Sequence, residues 1–278
     1  MATPDPHGPP LAVWPTAQQA LADQRAQYPD LPPVAFPVMA PALAQRLVTE
    51  LSQPGDLVAD LMCGSGTVCV EALDLERHVL AVDCEPACVA QTRDTLDARP
   101  QAPALVEQLW QADAREAGDL LVGYRGCCDL IVIAPPAPAT GSRSTDSLQP
   151  ANLARLDPEA HDGAMVDVLA ACAVLLRPGG CLAVLTQYSP RWAGRLLDPL
   201  PRTVSAAAEA GLEYHQHIIV LTHPLRHGRI HARPAPPRRI TVSSTAAVAT
   251  LHSNAHANIC LFRKPFPSAP EVGEGLNQ

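Results

Sequence analysis

The chain has 278 residues, 47% hydrophobic and 17% charged, a globular composition long enough to bury a substantial core. No window approaches the roughly 18 unbroken apolar residues of a membrane helix, and the opening MATPDPHGPP has no basic segment leading into an apolar one, so no membrane partner and no secretory leader are expected. The net charge of −8 is uneven: residues 1–190 carry 10 basic and 23 acidic groups, residues 191–264 carry 10 basic and 3 acidic.

In chain order, residues 1–33 are rich in Pro, Ala and Gln and are expected to form a flexible arm with one short helix near 16–27. Residues 39–52 have helical periodicity that stops at Pro54-Gly55. LVADLMC at 57–63 predicts a buried strand, GSGT a turn, and VCVEALDL a helix. HVLAVDC at 78–84 predicts a second strand, 86–99 a helix, and Leu105 to Trp110 a third strand ending before Asp113. DLIVIAPP at 129–136 is an apolar strand with an abrupt proline stop, followed by a loop over 137–157.

A helix over 160–176 leads through an RPGG turn at 177–180 into the strand CLAVLTQY. Residues 192–210 predict a partial helix broken by Pro199 and Pro201. Strands follow at 215–223 and 258–264, separated by a basic, Pro-rich loop at 224–239; residues 265–278 are expected to be a disordered tail. The alternation predicts an α/β fold: a doubly wound, mostly parallel, Rossmann-like sheet over 34–264, with helices on both faces and the late strands antiparallel at one edge.

The informative stretch is Asp60-Leu-Met-Cys-Gly-Ser-Gly-Thr67, at the carboxyl end of the first strong strand, where this fold class binds nucleotide-like ligands. Gly64 and Gly66 allow a tight turn and close backbone approach. Position 69 is Cys where a dinucleotide fingerprint has its third Gly, which argues against a nicotinamide cofactor. The next strand ends at Asp83, suited to both hydroxyls of a ribose, and Asp113 ends the third, within reach of an adenine amino group. Each Asp alone is as readily a turn former or helix cap; three on successive strand ends favour the ligand reading.

The stretch FPVMAPALAQRLVTELSQPGDLVADLMCGSGTVCVEAL resembles the start of the amino-methylating DNA methyltransferases (N4-cytosine or N6-adenine) and of the related RNA guanine-N2 methyltransferases. Phe36-Pro37, Pro54-Gly55-Asp56 and Cys63-Gly64-Ser65-Gly66-Thr67 match in order and spacing, while Leu61-Met62 replaces the family's Pro-Phe. The resemblance covers about 34–136 and returns faintly at 175–188 and 258–265. It implies a class I methyltransferase fold with S-adenosylmethionine as methyl donor, held by Asp60, Cys63, Gly64, Ser65, Gly66 and Thr67, with Asp83 on ribose and Phe36 approaching adenine.

The family ends its fourth strand in D/N-P-P-Y/F/W, with an acceptor and a proline carbonyl to hold the amino protons and an aromatic ring to stack on the base. Here the Pro135-Pro136 pair is in place, but Ala134 stands at the acceptor position and Ala137 at the stacking position. Either other groups serve, such as the Pro135 carbonyl, Ser144, Asp146 or Tyr188, or the amine chemistry is lost or redirected.

The basic stretch 191–239, with Arg191, Arg195, Arg202, Arg226, Arg229, Arg233, Arg238 and Arg239, fits a polyanion or a solvated loop. The His residues at 215, 217, 223, 227 and 231 are too irregularly spaced to predict a metal site. Nine Cys without a CxxC pair read as reduced thiols of a cytoplasmic protein. The leading expectation is a methyltransferase of nucleic acid, DNA ahead of RNA, with a protein partner for target recognition. Beside it stand a catalytically degenerate cofactor-binding subunit and a methyltransferase of another acceptor; a dehydrogenase comes last.

Overall fold

The computed structural model describes residues 11–26, 28, 39–139, 148–186, 189–192, 195–231 and 254–267. The first elements are β1 (Val13–Trp14), α1 (Leu21–Arg25), α2 (Pro41–Leu51), β2 (Leu57–Asp60), α3 (Thr67–Asp74), β3 (His78–Asp83) and α4 (Pro86–Asp97). Then come α5 (Ala102–Leu105), β4 (Val106–Gln111), α6 (Ala117–Leu120), β5 (Cys128–Ile133), α7 (Pro158–Leu175) and β6 (Leu176–Thr186). The last are β7 (Ser189–Trp192), β8 (Arg195–Leu197), α8 (Pro199–Glu209), β9 (Glu213–Leu221), β10 (Leu225–Arg226), β11 (Arg229–Ile230) and β12 (His256–Arg263).

Eight strands form one sheet in the order β1-β9-β12-β6-β5-β2-β3-β4, and β7-β8 and β10-β11 are short separate ribbons. Strands β2 to β6 are mutually parallel; β12 lies antiparallel between β6 and β9. The doubly wound sheet expected from the sequence is therefore present, with its antiparallel late strands on one side. The central strands are buried on both faces, which explains their unbroken apolar sequences. One face packs Leu47 of α2 and Val68 and Leu73 of α3 against Val58, Leu130 and Ile259. The other packs Val168, Leu169 and Cys172 of α7 and Ala206 and Ala207 of α8 against Ile131, Leu182 and Phe262. Among the described residues no helix is long and apolar enough to cross a membrane.

Three expectations are corrected. Residues 177–180 turn within β6 instead of preceding it. They bulge between Leu176, paired with Cys128, and Cys181, paired with Leu130, and Gly179 lies at φ +78°. Gly179 N–H donates to the Lys264 carbonyl and Lys264 N–H to the Gly180 carbonyl. Pro199 and Pro201 do not break a helix. Pro199 occupies the first turn of α8, where no amide donor is needed, and Asp198 caps it by accepting from Leu200 N–H at 3.1 Å. The described part of the expected loose arm is docked. β1 pairs in parallel with β9, Trp14 is buried beneath the Arg46 guanidinium, and the Gln24 side-chain oxygen accepts from Ala42 N–H at 3.1 Å. Tyr28 OH donates to the Glu71 carboxylate. Here apolar and cation–π contacts outweigh the loop-forming composition.

Candidate cofactor and acceptor site

The turn between β2 and α3 is built by its own backbone. Asp60 accepts from Met62 N–H at 3.0 Å, Cys63 N–H donates to the Val82 carbonyl of β3, and Gly66 N–H closes onto the Cys63 carbonyl at 2.8 Å. Gly66 then begins α3 at φ +76°, where a Cβ would lie 2.9 Å from Thr92 Oγ1. A side chain is excluded there twice, by backbone conformation and by contact. Thr92 in turn donates to the Gly64 carbonyl at 3.0 Å and lies 3.6 Å from Cys63 Sγ.

This turn is coupled to the end of β3. Asp83 accepts from Gly64 N–H through Oδ2 at 2.7 Å and from Glu85 N–H through Oδ1 at 2.8 Å. Each oxygen keeps a lone pair, and the carboxylate lines a cavity of about 670 Å³. Burial pushes the Asp83 carboxyl above its usual pKa, opposed by those two amide bonds. Burial also raises Asp60, to about 7. Glu85 accepts from Gln149 N–H at 2.9 Å and Asn152 Nδ2 at 2.8 Å, fastening the segment before α7 onto the site.

One wall of the cavity carries Gly64, Asp83, Cys84, Glu85 and Ala114, and the other carries Ala134, Pro135, Pro136, Ala137, His161, Thr186 and Arg202. His161 Nε2 lies 2.8 Å from the Pro136 carbonyl. A carbonyl only accepts, so the ring nitrogen carries the proton. Burial holds the His161 pKa down, which keeps the imidazole neutral. Arg202 pairs with Asp162 at the rim.

Of the residues expected around a cofactor, Gly64 and Asp83 line the cavity. Asp60, Cys63, Ser65, Gly66 and Thr67 are not among its lining residues; Asp60, Cys63 and Gly66 shape the turn by the contacts above. Asp113 also stands back: its oxygens bind Arg115, at 3.0 and 2.9 Å from Nε and 2.5 Å from Nη2, and Ala114 provides the wall. Phe36, Ser144, Asp146 and Tyr188 lie outside the described residues. Pro135 and Pro136 line the cavity with Ala134 and Ala137. The sequence reading missed Glu85, His161 and Thr186. Glu85 follows the strand-ending Asp83 by two residues and was readable; a lone His and Thr in apolar surroundings gave no signal.

The residues present fit an adenosyl ligand. A carboxylate with two spare lone pairs suits vicinal hydroxyls, and Gly64 offers backbone without a side chain beside it. Residues 8–94 match the DNA methylase family of N6 and N4 methylases. That segment carries the turn between β2 and α3 and stops before β5. No curated protein matches the chain. The fold resembles TrmN from Thermus thermophilus, at 21% identity and a TM-score of 0.50, covering 81% of this chain and 49% of that one. It also resembles PH1948 from Pyrococcus horikoshii, assigned as an RNA methyltransferase, at 14% identity and a TM-score of 0.51, covering 89% and 96%. The chain thus spans about half the length of the Thermus protein.

Proposed function

We propose that this chain, a class I S-adenosylmethionine-dependent methyltransferase in fold and in its cofactor turn, methylates nucleic acid, with DNA the first acceptor to test. The observation that carries the reading is the single cavity running from Gly64 and Asp83 to the Pro135-Pro136 end of β5. A donor held at one wall and an acceptor at the other would meet inside it. The family match over residues 8–94 supports DNA, and the likeness to PH1948 keeps RNA in the comparison.

The cofactor supplies an electrophilic methyl group on a sulfonium. Asp83 would hold the ribose hydroxyls, and Gly64 would let the backbone approach. The Pro135 carbonyl would accept a hydrogen bond from the acceptor amine and orient its lone pair. His161, bonded to the next carbonyl, would keep the Pro-Pro turn rigid. Transfer would form a nitrogen–carbon bond and break the sulfur–carbon bond, leaving the neutral thioether, and the nitrogen would lose one proton to solvent.

A second reading has its own observation. Ala134 and Ala137 line the acceptor half and offer neither a side-chain acceptor nor a π face. On that reading the chain binds the cofactor and serves as a DNA-binding or partner subunit; a wider, non-nucleic acceptor is the variant in which chemistry persists. Titration calorimetry with S-adenosylmethionine and S-adenosylhomocysteine, followed by tritiated-methyl transfer to mixed DNA and RNA, separates them. Binding with incorporation that Asp83→Ala abolishes supports the enzyme. Binding without incorporation supports the second reading, as a silent subunit or as an enzyme of a non-nucleic acceptor, and absence of binding overturns both readings.

A further inference from the structure

The acceptor half of the cavity holds polar groups that the reaction above leaves unused. Thr186 ends β6, lines the cavity and is 5% exposed, and its hydroxyl has no hydrogen-bond partner among the described residues. Directly opposite in the antiparallel register stands Asn258 of β12, 1% exposed, whose amide nitrogen is also unpartnered. A buried polar atom without a partner forfeits its hydration for nothing in return. Thr186 lines the cavity and Asn258 pairs with it in the sheet without lining the cavity, so the unpartnered hydroxyl at the wall points to a ligand.

The amide orientation is fixed from behind. Asn258 Oδ1 lies 3.0 Å from His217 Nε2, and an amide oxygen only accepts, so the imidazole donates there. The Asn258 nitrogen, which only donates, is left for the Thr186 side. Neither atom bonds the other, so the recessed Thr186 hydroxyl keeps its hydrogen for a ligand in the cavity. The neighbouring wall bears Asp162, Asp198 and Glu209 against Arg202, which is already paired with Asp162. That balance disfavours an anion and favours a neutral acceptor atom.

We propose that Thr186, backed by Asn258 and His217, is a subsite for the carbonyl oxygen of a neutral ring amide on the methyl acceptor. The proposal rests on reading this half of the cavity as the acceptor site. The hydroxyl is recessed, so its partner must reach in. A ring carbonyl oxygen stands about 1.2 Å outside its ring, where a ring nitrogen does not. The subsite therefore selects cytosine or guanine, which carry a carbonyl beside the amine-bearing edge, over adenine, which has none.

The test uses the whole protein saturated with S-adenosylhomocysteine, with 1-methylcytosine and 9-methyladenine as probes and the Thr186 methyl resonance as reporter. The expected result is a shift of that resonance by the cytosine ring and about tenfold tighter binding of it than of the adenine ring. Thr186→Val should lose that preference and Thr186→Ser keep it; Thr186→Ala replaces the valine variant if that does not fold. Equal binding of the two rings, binding unaltered by Thr186→Val, or no response of the Thr186 methyl overturns the subsite. If S-adenosylhomocysteine itself does not bind, the methyltransferase reading falls and the subsite with it; if it binds without a ring preference, the subsite alone falls.

Discussion

The backbone N–H of Gly64 donates to Asp83 Oδ2 over 2.7 Å, so the turn after β2 and the end of β3 are held as one unit before any ligand arrives. The same carboxylate is the group suited to ribose. Asp83→Ala should therefore weaken S-adenosylmethionine binding twice over, by removing charged hydrogen bonds to the ligand and by loosening the turn. Charge-assisted bonds contribute about 1.5–3 kcal/mol each, which predicts a loss of roughly 100-fold or more. Calorimetric titration checks this; unchanged affinity would show that the cofactor does not touch Asp83.

Asp60 predicts an unusual dependence of stability on pH. Burial raises its carboxyl from 3.8 to about 7, so the folded chain keeps a proton that the unfolded chain has released. Stability from this group is full below the unfolded value and is lost as pH rises through about 4 to 7. The loss reaches up to about 4 kcal/mol above pH 7. Asp60→Asn keeps the side-chain oxygen that accepts from Met62 N–H and carries no charge. Urea midpoints of this variant should exceed those of the parent at pH 8 and match them at pH 4.

Much of this arrangement was legible in the sequence because it depends on local rules. Apolar runs marked β2, β3 and β5, and the glycines of Asp60 to Thr67 marked the turn between β2 and α3. Three kinds of feature were not legible. The docking of Trp14 and Tyr28 depends on Arg46 and Glu71, partners more than 30 residues away. The continuation of β6 through Gly179 depends on Lys264 at the other end of the chain. Asp113 and Asp83 read alike as strand-ending carboxylates, and only Arg115 turning back onto Asp113 separates their roles.

Glu85 was not foreseen and holds residues 148–152 to the site by one oxygen that accepts from both Gln149 and Asn152. Glu85→Ala leaves the buried Asn152 amide without that acceptor, at a cost of about 1–3 kcal/mol. Amide exchange at Gln149 should accelerate, and the ligand should dissociate faster as that wall loosens. Glu85→Gln retains an acceptor oxygen and should restore slow exchange. Equal exchange in all three proteins would mean that other contacts hold the segment.

His161 gives the opposite pH arm from Asp60. Burial lowers its pKa, so below about 6.5 the unfolded chain takes up a proton that the folded chain resists. Stability from the neutral ring is full above that value and falls as pH drops through it toward the lower folded value. His161→Gln keeps a donor for the Pro136 carbonyl and removes the titration, so it should abolish the loss below about 6.5, while Asp60→Asn abolishes the opposing loss as pH rises through about 4 to 7. His161→Leu removes the donor as well, at about 1–3 kcal/mol, and frees the Pro-Pro turn. Methyl transfer should then slow with cofactor affinity unchanged, and the glutamine variant should recover most of the rate. A leucine variant with full turnover would restrict His161 to stability alone.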